Sequence, residues 1–292
     1  MKVSGFTFVR NGVKYDYPVV ESIRSILPLC DELIVAVGNS DDGTRALIEN
    51  IGSDKIKIID TVWDDTLREG GRVLAVETNK ALDAVSPDSD WCFYIQADEV
   101  FHENDLPVIR KAMQEHLGNK KVEGLVFEHI NFYGTYDYLA TARNWQKREV
   151  RVIRNDKNIR SWKDAMSFRK HEEKLHCKYV PATIYHYGWV KHPATQQKKR
   201  EEFEKLWHDD TYVEKKIKVG EVFDYSRIDA LEKFTGTHPV VMKDRIASAN
   251  WNLDVTPETL KKKTPLRYRI LGVVESLTGI EMGRFQNYKL LR

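Results

Sequence analysis

The chain has 292 residues, 41% hydrophobic and 31% charged, which supplies enough apolar material for one large core and excludes a disordered polymer. A formal net charge of +2 gives no global field for nucleic acid, and no run approaches the roughly 18 apolar residues of a transmembrane helix. Cys30, Cys92 and Cys177 show no CxxC spacing, and the first residues do not read as a signal peptide, so a reducing, cytoplasmic setting is expected.

In chain order, Val3–Val9 reads as a strand and Tyr17–Leu29 as a helix, with Asp16 as a cap and Pro18 in its first turn. Glu32–Val37 is a short apolar run closed by the polar turn Gly38–Gly43. Thr44–Asn50 suits a helix ended by Gly52, Lys55–Asp60 a third strand, and Val73–Val85 a helix with apolar residues at helical spacing. Trp91–Ile95 is a buried strand that runs into the polar segment Gln96–Glu99, followed by a helix near Asp105–His116 and a strand at Val122–Phe127. Alternation of this kind predicts an open α/β sheet with helices on its faces. Ligands then bind beyond the carboxyl ends of the strands, where Arg10–Asn11, Gly38–Asp42 and Gln96–Glu99 should converge.

After about residue 131 aromatics become dense (Phe132, Tyr133, Tyr136, Tyr138, Trp145, Trp162), with strands at Val150–Arg154 and Ala182–Tyr187 and a charged helix at Pro193–His208. Residues 1–130 are therefore expected to form one α/β half, and residues 131–292 a second half with a C-terminal extension, packed with the first as one continuous globule. The stretch from Thr259 to Arg292 carries eight basic residues against Glu275 and Glu281, interleaved with Leu266, Tyr268, Ile270, Leu271, Val273 and Val274. That pattern fits either a solvated basic edge or peripheral contact with acidic lipid at the inner membrane face.

Two segments carry chemistry. Trp91–Glu103 places Asp98 and Glu99 at the end of a buried strand, a position where carboxylates hold a hard divalent cation, Mg²⁺ or Mn²⁺, or simply serve as solvated turn residues. Leu33–Thr44 opens a strand into Gly38, Asn39, Ser40 and Asp42 before a helix, where backbone amides can hold a nucleotide or make a plain turn.

Phe8-Val9-Arg10-Asn11, then DELIVAVGNSDDGT, ETNKAL (Glu77–Leu82) and DWCFYIQADEV (Asp90–Val100) resemble, in order and spacing, the family 2 glycosyltransferases over roughly the first 105 residues. The resemblance implies the GT-A fold, a mixed and mostly parallel central sheet flanked by helices. It also implies a UDP- or GDP-sugar donor, a divalent metal, and inverting transfer to a glycan, lipid-linked or other hydroxyl acceptor, as in cell-wall or polysaccharide synthesis. The same resemblance would make residues 1–130 the donor-binding half and residues 131–292 the acceptor-side half. Donor contacts then fall to Val9, Arg10, Asn11, Gly38, Asn39, Asp42, Arg72, Gln96 and Asp98. The metal falls to Asp98, with His186 completing the site. Asp164 is the expected general base, with Glu128 as its competitor. The sequence departs from the pattern twice. Val37 stands where the family has an acid near the base and ribose, and Gln96 replaces the first Asp of Asp-x-Asp, keeping hydrogen-bonding capacity without charge. Those departures keep open a sugar-nucleotide or glycan-binding protein with a degenerate metal motif. A nucleotidyltransferase would need a basic Gly-rich loop after the first strand, which Phe8–Gly12 does not supply.

Overall fold

A computed structural model describes residues 1–218, 220–253, 255–260, 268, 271, 275 and 286–292. The basic-tail residues Lys261, Lys262, Lys263, Arg267, Arg269 and Arg284 lie outside the described residues. Among those described, no helix is long and apolar enough to cross a membrane.

The first half follows the expected alternation. Strands β1 (Val3–Val9), β2 (Glu32–Val37) and β3 (Ile56–Asp60) run parallel, and β4 (Trp91–Tyr94) joins β1 on its other side, also parallel. β1 and β2 are buried almost throughout because helices cover both faces of the sheet. On one face α1 (Val19–Ile26), α2 (Thr44–Glu49) and α4 (Leu106–Glu115) bury Ile23, Ile26, Ile48, Ile109 and Met113 against Val35, Val37, Phe93 and Phe127. On the other, α3 (Arg72–Asp83) sets Ala81 and Leu82 on Phe6, Ile34 and Ala36.

The sheet then turns mixed. β5 (Glu99–Phe101) pairs antiparallel with β12 (His176–Trp189). β6 (Gly124–Tyr133) lies parallel to β12, and β8 (Arg148–Arg154) fits antiparallel between β4 and β6. β7 (Tyr138–Ala140) and β13 (Leu231–Lys233) extend one edge, with β14 (Lys289–Leu290) beside β12. A separate three-stranded sheet of β9 (Ile159–Trp162), β10 (Ser167–Lys170) and β11 (Glu173–Lys174) packs near α3, and α5 (Pro193–Glu204) follows β12. The fold is the mixed, mostly parallel α/β sheet flanked by helices that the sequence implies. β1 is its switch point, since β2 follows on one side and β4 returns on the other, so a crevice opens at their carboxyl ends.

Three expectations need correction. The helix expected from Tyr17 starts at Val19, ends at Ile26 and continues as a 3₁₀ turn over Leu27–Leu29. Asp16 does not cap it; its carboxylate pairs with Arg245 at 2.5 Å. Glu99 is no turn carboxylate: it begins β5, is fully buried, and takes both Nε and Nη2 of Arg151 at 2.7 and 2.6 Å. The three cysteines are free and buried, and burial pushes the Cys30 and Cys92 thiols up to about 12, so they act as small apolar residues.

Arg245, on the short helix Lys243–Ala247, ties the later chain to the first loop through Asp16, Glu21 at 3.0 Å and the Tyr17 carbonyl at 3.2 Å. Arg245→Met should lower stability by about 1 kcal/mol, the scale of a partly exposed charge network. Urea unfolding at low and high salt checks this, and the difference between variant and wild type should shrink as salt rises.

Candidate functional site

A cavity of about 550 Å³ opens at the carboxyl ends of β1 and β4. One wall comes from the β1 end and the loop after β3. Phe8 and Trp63 pack together at 5.8 Å, and the Arg10 guanidinium lies 5.5 Å from the Trp63 ring while binding Asp65 at 2.6 Å. The Trp63 Nε1–H is buried without a partner. Asn11 adopts a left-handed φ of 54°, which Asn tolerates better than most residues. Its Oδ1 accepts from Asp41 N at 3.1 Å, and its own N–H donates to Ser40 Oγ at 2.9 Å.

Asp98 sits just past β4. Its Oδ2 lies 3.5 Å from His186 Nε2 and 3.3 Å from Lys199 Nζ. Burial pushes the Asp98 carboxyl up, but the charges of Lys199 and His186 more than offset it and hold the group well below the usual carboxylate range. The imidazole's proton arrangement can be traced from the hydrogen bonds. Asn131 Nδ2 donates to Gln146 O at 3.2 Å, which fixes the amide and turns its Oδ1 toward His186 Nδ1 at 2.9 Å. The same Nδ2 faces His129 Nδ1 at 3.2 Å, and His129 Nε2 meets Glu99 Oε1 at 3.2 Å. Burial lowers the pKa of His129, so the neutral ring donates from Nε2 to Glu99 and accepts at Nδ1. His186 then donates from Nδ1 to Asn131 Oδ1, and its Nε2 edge faces Asp98.

Asp98 Oδ2 and His186 Nε2 stand 3.5 Å apart, and a neutral imidazole would make the two a pair of donor atoms for a cation. Gly188 keeps that place open, since a Cβ there would stand 2.5 Å from both Asp98 Oδ2 and His186 Nε2. Asp98 and His186 therefore fit a divalent ion that takes its remaining ligands from a diphosphate and water. Among the described residues no group of three or more His, Cys, Asp or Glu side chains is placed to hold a metal, so these two residues could do so only with help from substrate oxygens.

The opposite wall carries two further carboxylates. Asp164 lies in a loop whose neighbours Lys163 and Ala165 are both left-handed (φ 53° and 59°), a strained setting that aims the side chain at the cavity. Its Oδ1 is buried without a partner, and burial raises its pKa. Glu149, on β8, also faces the cavity with an unpartnered Oε2; its nearest cation is Arg151 Nη1 at 3.6 Å. Burial, with repulsion from Glu99 and Asp164 only partly offset by Arg151, pushes Glu149 up to about 8. Gln96 bridges the two sides, its N–H donating to Glu99 Oε2 at 3.2 Å and its Nε2 to Ala165 O at 3.4 Å.

Of the residues singled out in the sequence, the cavity is lined by Val9, Arg10, Asn11, Gln96, Asp98, Asp164 and His186. Gly38, Asn39, Asp42, Arg72 and Glu128 are not among its lining residues. Gly38 is buried against Trp63 and Arg10, and Asn39 accepts from Trp63 N at 3.2 Å. Asp42 is a turn builder that accepts from Lys14 N at 2.6 Å and Thr44 N at 3.1 Å, so the expected convergence of Arg10, Asn39, Asp42 and Asp98 holds for Arg10 and Asp98 only. Arg72 is exposed at the start of α3. Glu128 binds Arg148 at 2.9 Å, beside Tyr179. The sequence reading missed Trp63, His129, Asn131, Glu149 and Lys199. For Glu149 a signal existed, because Glu149 and Arg151 are charged residues two apart in an apolar strand, which puts both on one face.

No family model and no curated protein matches the sequence. Among solved structures, S. aureus TarS is similar over 70% of this chain and 39% of its own, at 13% identity and a TM-score of 0.38. The chain thus spans less than half of that structure's length. S. aureus TarS 1-349 in complex with UDP is similar over 76% of this chain and 68% of its own, at 12% identity and a TM-score of 0.38. Glucosyl-3-phosphoglycerate synthase from Mycobacterium tuberculosis, in complex with Mg²⁺ and UDP, is similar over 44% and 43%, at 20% identity and a TM-score of 0.31.

Proposed function

We propose that the protein is a glycosyltransferase that moves a sugar from a nucleotide-diphosphate sugar to a hydroxyl acceptor on a glycan or lipid-linked molecule. The observation that carries this reading is one cavity holding two opposed functions: the Asp98–His186 pair on one wall, and Asp164 with Glu149 on the other. The Phe8–Trp63–Arg10 wall offers a stacking surface for a nucleobase, UDP- and GDP-linked donors being the expected classes. Arg68, Lys199 and Lys205 also line the cavity and give positive charge for the diphosphate.

A divalent ion held by Asp98 and His186, Mn²⁺ or Mg²⁺, would neutralise charge growing on the leaving diphosphate. Asp164 accepts the proton of the acceptor hydroxyl as that oxygen attacks the anomeric carbon, and attack from the side opposite the diphosphate inverts the centre. Glu149, protonated around neutral pH, donates a hydrogen bond to a sugar oxygen. Residues 1–130 carry the donor wall and the later chain supplies Glu149, Asp164, His186 and Lys199, in a cytoplasmic protein whose basic tail reaches acidic membrane.

A thermal-shift screen of nucleotide sugars with Mn²⁺ tests the reading. A matching donor at a hundred times its dissociation constant should add about 2.7 kcal/mol. Release of nucleoside diphosphate should then follow on addition of acceptor. Stabilisation by no nucleotide sugar would overturn the proposal, and binding with no release under any acceptor would leave a binding protein instead.

A further inference from the structure

Lys199 stands where an incoming cation has to go. It projects from α5 with its side chain only 12% exposed, its Nζ 3.3 Å from Asp98 Oδ2 and 3.0 Å from the Gly188 carbonyl. The Tyr17 ring lies below it at 4.6 Å, and a second buried lysine, Lys191, sits over the same ring at 4.8 Å while donating to Asp16 O. The ammonium is thus held by one carboxylate oxygen, one carbonyl and two aromatic rings, with Phe203 at 6.0 Å as the second. The carboxylate oxygen it holds is the same Oδ2 that faces His186 Nε2 across the gap kept open by Gly188.

We propose that Lys199 is the resident counter-cation of Asp98 and keeps a divalent ion out of the nucleotide-free protein, so that the ion enters together with the diphosphate. A divalent ion bound to Asp98 Oδ2 would lie close to the Lys199 ammonium in a water-poor pocket, and the two positive charges repel. A diphosphate changes the balance, because its oxygens accept the hydrogen bond that Asp98 now accepts. Lys199 then swings from Asp98 to the phosphate, and Asp98 is released for the ion. Ion and diphosphate therefore favour each other's binding, each by the same factor. The inference rests on reading Asp98 and His186 as the cation pair.

The test uses Mn²⁺ alone, followed by the electron paramagnetic resonance signal of the free ion, with no nucleotide and no turnover. Lys199→Met should bind Mn²⁺ more tightly than wild type by roughly tenfold, within the usual range for coupled ligands. Lys199→Gln, which keeps a donor for the Gly188 carbonyl, should do the same and guards against a folding defect in the first variant. Lys199→Arg retains the charge and should stay weak. Adding Asp98→Asn to Lys199→Met should abolish the gain. Equal Mn²⁺ affinity in wild type, Lys199→Met and Lys199→Gln overturns the proposal, as does a gain that survives loss of Asp98. Because no sugar nucleotide is present, a failure to find any donor leaves this measurement standing.

Discussion

Asp98→Asn should lower donor hydrolysis or sugar transfer about a hundredfold or more, which corresponds to ~2.7 kcal/mol of lost transition-state stabilisation. The substitution keeps shape and hydrogen-bonding capacity and removes the negative charge that faces His186 Nε2 and Lys199. It also leaves the buried Lys199 ammonium without its carboxylate, so a stability loss of about 1–2 kcal/mol should accompany it. The sign of its pH dependence follows from the depressed Asp98 carboxyl. That stabilisation is present above the ordinary value of 3.8 and is lost as pH falls below it, so wild type and variant should converge in stability only in acid. Glu99→Gln is the contrast. Glu99 lies away from the cavity in a two-pronged pair with Arg151, and removing its charge should cost about 3 kcal/mol of stability by stranding a buried guanidinium. Rates against Mn²⁺ concentration and melting curves for both variants decide the matter. If Glu99→Gln loses the Mn²⁺ response while Asp98→Asn keeps it, the ligand has been assigned to the wrong carboxylate.

How far these roles were legible in the sequence depends on the range of the contact that creates them. β1 and β2 match the expected Val3–Val9 and Glu32–Val37 because each is a continuous apolar run ended by turn residues, a purely local signal. Asp98 was legible because it follows a buried strand directly. Glu99 was not, since what distinguishes it from Asp98 is Arg151, 52 residues away. The Asp16 cap failed for the same reason: Arg245, 229 residues on, competes for that carboxylate. Asn39 and Asp42 share the turn chemistry of a nucleotide-binding loop, but their hydrogen bonds go to Trp63 and to Lys14 and Thr44. His129 and Asn131 line the cavity and orient His186, a partner brought alongside by the parallel pairing of β6 with β12. No local pattern announces such a relay.

Asp164 and Glu149 face one cavity with unpartnered oxygens, yet their environments push them toward different work. A base has to be ionised at the working pH, and Glu149, pushed up to about 8, is largely protonated there. Asp164 is raised by burial alone among its major causes and starts from a lower value, so it is the carboxylate available to take a proton. Asp164→Asn should therefore reduce turnover by on the order of a hundredfold or more. The acid limb of the rate profile, which reports ionisation of Asp164, should vanish with it. Glu149→Gln replaces a protonated carboxyl by a neutral isostere, so turnover should fall by less than about tenfold with the acid limb intact. Stability supplies an independent check. The folded protein holds the Glu149 proton more tightly than the unfolded chain does, so between the ordinary value of 4.5 and about 8 wild type loses stability as pH rises. Glu149→Gln lacks that proton equilibrium and should be the more stable protein at pH 8, by on the order of 4 kcal/mol, with the difference fading toward pH 5. Urea unfolding at the two pH values measures this directly. A wild type that gains stability over Glu149→Gln as pH rises would mean that Glu149 is ionised in the folded state. Loss of the acid limb in Glu149→Gln, with Asp164→Asn unimpaired, would hand the base to Glu149.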